Sequence, residues 1–218
     1  IKTVNLRVAP LVVLNDLTIG NASGVNSMLV TNGLDVTIGH NLYNYNTNTG
    51  TTLTTGGYQA ANSSQQTIFD GAANQLITGR GTNITNFANL VIENGNAAIT
   101  TSLAANTDIR VNGNLSLVEG NLADGGNDIT VIGDVMNQAA HSSSSNTGGI
   151  AMTGSQKQFI TGDGSGVFGN LIINNVNGVD VRDNTTIDGQ LTFNSGSLYI
   201  DDMLLTLGLN ASIGGTPN

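Results

Sequence analysis

Apolar and polar residues alternate along this chain in short bursts. Leu17-Thr18-Ile19, Val36-Thr37-Ile38, Ile109-Arg110-Val111, Leu115-Ser116-Leu117, Ile129-Thr130-Val131, Leu191-Thr192-Phe193 and Leu205-Thr206-Leu207 share one form. Side chains on a strand point to opposite faces in turn, so each triplet reads as a short strand with one face in a core. Gly, Asn and Asp fill the gaps between the bursts, where turns need positive φ. No stretch carries a helical stripe, and residues 100–107, the best candidate, lack an apolar face. The pattern predicts an all-β protein.

The bursts belong to a larger repeat. Gly71, Gln75, Ile77, Thr78, Gly79 and Gly81 recur as Gly154, Gln158, Ile160, Thr161, Gly162 and Gly164, an offset of 83 residues. Phe87, Asn89, Leu90 and Ile92 recur as Phe168, Asn170, Leu171 and Ile173. Gly113, Leu115 and Leu117 recur as Gly189, Leu191 and Phe193, and Gly120 and Leu122 as Gly196 and Leu198. A partial copy opens the chain, with Asp35-Val36-Thr37-Ile38 matching Asp128-Ile129-Thr130-Val131. The copies divide the chain at about 1–49, 50–147 and 148–218.

Short strands with tight turns suit an antiparallel sandwich or a parallel solenoid. The nested repeat favours the solenoid, in which each coil buries its inner face against its neighbours. The expected fold is therefore a right-handed parallel β-helix spanning 1–218 as a single solenoid. Coils of roughly 20 to 25 residues would make nine or ten turns, a rod about 45 Å long at about 4.8 Å per coil. Leu90, Ile92, Leu115, Leu117, Leu171, Ile173, Leu191 and Phe193 are expected inside, with Ser116 and Thr192 outside. Asn at matching positions is expected to stack in ladders.

The block order Gly-x-x-x-Gln-x-Ile, Phe-x-Asn-Leu-x-Ile and Gly-x-Leu-x-Leu resembles the repetitive cell-surface and adhesin-like proteins of Bacteroidetes, many of them cargo of the type IX secretion system. The resemblance covers nearly the whole chain and is weakest over residues 39–66. It implies an extracellular, cell-surface location and a role in stalks, adhesion or matrix.

Composition narrows the function. The net charge is −9, and the six basic residues are scattered, which argues against nucleic acid. No apolar run is long enough to insert in a membrane as a helix. With no Cys there is neither a disulfide framework nor a thiolate zinc site. The chain opens on an internal-type strand and closes on Leu205, Leu207 and Ile213. Its ends are therefore expected to be covered by further repeats or by other copies stacked end to end.

Candidate chemistry is sparse. Asp180, Arg182, Asp183 and Asp188 cluster in sequence, as do Asp201 and Asp202, but no acidic column repeats. Residues 124–128 and 161–166 have the oxygen-rich look of calcium loops without a calcium-loop spacing. They read as turns. His40 and His141 are expected in solvated loops. No catalytic triad order, nucleophile elbow or phosphate loop is present, so no catalytic residue, cofactor or metal is assigned and no enzyme activity is expected. Tyr43, Tyr45 and Tyr58 fall in one Asn/Thr/Gly-rich stretch and form the candidate contact for a glycan or a protein. An alternative is a flat glycan- or ice-binding face built from Thr18, Thr37, Thr130, Thr192 and Thr206. A polysaccharide-active β-helix is a third reading.

Overall fold

The computed structural model describes residues 2–21, 27–45, 57–60, 64–79, 84–144 and 147–215. Twenty-eight short strands follow one another, with no helix among the described residues. Apart from one break, strands pair with the third one before and the third one after, and the pairings are parallel. Three strands complete a coil, and about nine coils of roughly 22 residues make a parallel β-solenoid. This is the expected all-β architecture.

Three faces result. Face II runs unbroken from Leu11–Val13 to Leu198–Tyr199, and face III from Leu17–Ile19 to Leu205–Leu207, nine strands each. Face I is two sheets, three strands from Lys2–Asn5 to Tyr58–Gln59 and seven from Thr85–Phe87 to Ser212–Gly215. The Tyr58 and Phe87 rings meet across the break, with centroids 5.7 Å apart.

The core is a set of apolar columns. Ile109, Ile129, Ile150, Leu171 and Leu191 stand one above another on face I, all buried. Face II does the same with Leu90, Leu115, Val135, Ile160 and Val181. Of the eight side chains expected inside, seven are buried. Phe193 is partly buried because the next coil places Gly215 over it, which covers little. Ser116 and Thr192 are half-exposed, as the alternation requires.

The sequence repeat and the coil do not share a period. Gln75–Thr78 is the ninth strand and Gln158–Gly162 the twentieth, eleven apart. Asn89–Glu93 and Leu171–Asn174 are the eleventh and twenty-second. Turn geometry follows the same interval. Asn32 and Gly33 have φ of 51° and 84°, Gly125 and Gly126 have 62° and 86°, and Asp201 has 43°; these turns precede the fifth, sixteenth and twenty-seventh strands. Eleven is not a multiple of three, so each copy of the repeat begins one face away from the last.

Corners are held by side-chain oxygens. Asn89 Oδ1 accepts the Asn114 N–H at 2.8 Å, Asn114 Oδ1 the Asp134 N–H at 2.9 Å, and Asp134 Oδ1 the Phe159 N–H at 2.9 Å. Each bond extends the strand ladder around a bend between successive coils. The repeated Gly-x-x-x-Gln block is a staple of the same kind. Gln75 Nε2 donates to the carbonyls of Ile38 and His40 on the preceding coil, while its Oε1 accepts the Gly71 N–H. Gln158 repeats this with Val131, Gly133 and Gly154. A Cβ on Gly71 would lie 2.6 Å from the Gly39 carbonyl oxygen, so only glycine fits under the glutamine.

Candidate functional site

The three candidate tyrosines separate. Leu42–Asn44 is a strand of face III with Leu42 and Asn44 buried, which turns Tyr43 outward between Thr18 and Thr78 of the adjacent coils. Tyr45 stacks on it, with centroids 5.8 Å apart and rings 13° from parallel. Asn41 Nδ2 donates to the Tyr43 hydroxyl at 3.1 Å. Beside them His40 Nδ1 lies 2.6 Å from Asp16 Oδ1, and the His40 hydrogen bond holds the Asp16 carboxyl below its usual range. Tyr58 leaves this group. It is fully buried against Phe87, and its hydroxyl bonds Thr67 Oγ1 at 2.6 Å. Burial pushes that hydroxyl's pKa up, against the hydrogen bonds from Thr67 and Gln65. Tyr58 is a core residue with a satisfied polar tip and offers no surface to a ligand.

The threonine row does not form. Thr37 lies on face II between Val12 and Ile68, Thr130 and Thr192 lie on face I, and Thr18 and Thr206 lie on face III. On face I, Thr130 stands between Arg110 and Ala151, and Thr192 between Ile172 and Gly214. The eleven-strand interval sends equivalent threonines to successive faces, so they cannot stack.

The acidic residues do not converge either. Asp180 points outward between Lys157 and Arg182, at 3.7 and 3.8 Å. Asp183 turns back to accept the Gly162 N–H at 3.0 Å. In the stretch 161–166, Asp163 accepts the Ser165 N–H and hydroxyl, closing a turn. Among the described residues no three His, Asp or Glu side chains gather as a metal site. A groove of 460 Å³ runs along the edge between faces II and III, lined by Ala97, Val118, Glu119, Gln138, Ala139 and Ser165 among others. Glu119 is the one titratable group in its lining.

One polar cluster was not anticipated. His141, expected in a solvated loop, lies on the strand Ala140–Ser142 with its ring inside the rod, between Leu122 and the layer of Phe168. The Ala-His-Ser alternation forces the middle side chain inward. His141 Nδ1 accepts the Gly169 N–H at 3.2 Å, which leaves the proton on Nε2, 3.2 Å from Asp124 Oδ2. Ser143 Oγ donates to Asp124 Oδ2 at 2.5 Å and accepts the Asn170 N–H at 2.8 Å. Gly126 N–H donates to Asp124 Oδ1 at 2.7 Å. Burial raises the Asp124 carboxyl's pKa, but the bonds from His141, Ser143 and Gly126 outweigh it and the net shift is downward. The serine binds the carboxylate rather than the imidazole, and His141 and Asp124 are closed to solvent. The cluster therefore ties three successive coils and is not arranged as a nucleophile with its base. One signal in the sequence pointed to it: His141 lies 83 residues after Tyr58, the same offset as Gly154 from Gly71.

No protein-family model, curated protein or solved structure matches this chain. The fold defines it as a parallel β-solenoid.

Proposed function

We propose that this chain is a segment of an extracellular, cell-surface rod with a structural or adhesive role. The observation that supports this best is the ladder itself: coil stacks on coil through nearly the whole chain and leaves a series of outward corners. The eleven-strand interval distributes those corners around the axis, which suits a spacer that presents contacts on every side. The motif blocks favour kinship with Bacteroidetes adhesin-like surface proteins. Its partners in this reading are further coils of a longer chain or other copies end to end, with surface glycans meeting exposed pairs such as Tyr43 and Tyr45. Catalysis has no part in it, since Asp180 and Asp183 do not converge: Asp180 lies between Lys157 and Arg182, and Asp183 accepts the Gly162 N–H.

The test is direct. Purified chain incubated with neutral and acidic polysaccharides, with and without Ca²⁺, is expected to leave their chain length unchanged by viscometry and reducing-end assay. Turnover that is abolished by Asp180→Asn or Asp183→Asn would replace the rod with an enzyme.

A further inference from the structure

Five side chains gather on the outside of face II. Phe159, Asp180 and Tyr199 are in register on the strands Gln158–Gly162, Val179–Val181 and Leu198–Tyr199. Their strand neighbours Gln158, Ile160, Val179 and Val181 are buried, which turns Phe159 and Asp180 outward, and Tyr199, in register with Asp180, is exposed. The Arg182 guanidinium lies 3.6 Å over the Phe159 ring, and Lys157 Nζ lies 4.3 Å over the Tyr199 ring. Tyr199 packs closely on Gly178, where a Cβ would come within 2.5 Å of its Cε2.

Both cations approach one oxygen, Asp180 Oδ2, at 3.7 and 3.8 Å. These distances exceed hydrogen-bond length, so the ammonium and guanidinium donors remain unspent. Lys157 and Arg182 are 44% and 54% exposed, whereas Asp180 is 15% exposed. Two exposed cations therefore flank a single, largely covered carboxylate on a chain of net charge −9.

We propose that this cluster is a binding site for an anionic polysaccharide, its carboxylate or sulfate groups taken by Lys157 and Arg182. The rings hold the two long side chains in place before any ligand arrives, so less rotamer entropy is lost on binding. The surface is a strand face without a cleft, which suits a polymer that brings successive charges rather than a small anion needing converging donors. An acidic peptide is disfavoured because the strands Gln158–Gly162 and Val179–Val181 are paired on both sides, leaving no free edge for a peptide backbone. The proposal rests on the extracellular reading. Because the contact is between exposed charges, binding is expected to be salt-sensitive, with a Debye length of about 8 Å at physiological ionic strength.

The experiment is calorimetric titration of the full chain at low ionic strength with dextran sulfate, polygalacturonate, neutral dextran and poly-glutamate. Dextran sulfate or polygalacturonate is expected to bind, and neutral dextran is not. Lys157→Gln/Arg182→Gln is expected to weaken binding at least about tenfold, with an unchanged melting temperature. Arg110→Gln, a cation on face I, is expected to bind like the parent. Absence of binding to both polyanions, equal binding by the double variant, or tighter binding of poly-glutamate would overturn the proposal. The double variant keeps every core residue, so a melting temperature that falls would itself show the cluster to be structural and count against the site. None of these outcomes bears on polysaccharide turnover, so the failure of this site and the failure of the rod reading remain distinguishable.

Discussion

At the scale of single residues, polar side chains take over where the strand ladder bends. An amide oxygen and a carboxylate oxygen do the same work at a corner, which is why Asn89, Asn114 and Asp134 follow one another in a single column. Asp124 is different because it is buried and must be paired. Its folded pKa lies below that of an unfolded chain, about 3.9. The unfolded state then binds more protons in that interval, so its contribution is complete above about pH 4 and is lost as pH falls through the folded value. Urea midpoints are expected to show Asp124→Asn less stable than the parent at about pH 7, with the gap narrowing as pH falls below about 4. A gap that is constant with pH would show that the carboxylate's charge is immaterial. His141→Leu is expected to cost about 1 to 3 kcal/mol, because it leaves the Gly169 N–H without a partner inside the rod and removes one of the groups that face Asp124.

At the scale of strands, three residues suffice because interior strands are paired on both sides and their inward side chains join a column. The alternation made this legible: Leu115, Leu117, Leu171 and Ile173 are all fully buried. Leu115→Ala and Leu171→Ala are each expected to cost about 2 to 5 kcal/mol in chemical denaturation, since neighbouring coils cannot collapse into the gap. Ser116→Ala, on the outer side of the same strand, is expected to stay within about 0.5 kcal/mol. Equal losses at Leu115 and Ser116 would refute the register. His141 was harder to read, because alternation says which residue points inward but not whether a polar one there finds partners. Its partners lie on other coils, 17 and 28 residues away in Asp124 and Gly169.

At the scale of the whole molecule, the apolar columns meet solvent at both ends. Val4 is exposed in register with the buried Leu29 at one end, and Leu207 and Ile213 in register with the buried Ile187 and Leu191 at the other. A cavity of 320 Å³ opens among Val4, Leu11, Leu17 and Leu29. Apolar cross-sections of this kind favour stacking of one copy on another, and a head-to-tail contact that does not close grows into a filament. Light scattering and negative-stain images of the concentrated chain are expected to show rods longer than the roughly 45 Å of one copy. A monomer at every concentration, with slow amide exchange in its first and last coils, would remove the basis for end-to-end stacking.

The sequence by itself determined the strands, their inward faces and the all-β solenoid, because period-two alternation, turn residues and a nested repeat are local or translational signals. It also marked the Gln75 and Gln158 staples as equivalent before their bonds were visible. Tertiary structure alone decided which strands stack, since that depends on how many strands close a coil. Three strands per coil against eleven per repeat is what scattered Thr37, Thr130 and Thr206 over three faces, while the three-strand closure put Tyr58 on a different face from Tyr43 and brought Asp124, His141 and Ser143 together. A repeat read along the chain shows which residues are alike; only the closure of the coil shows which residues are neighbours.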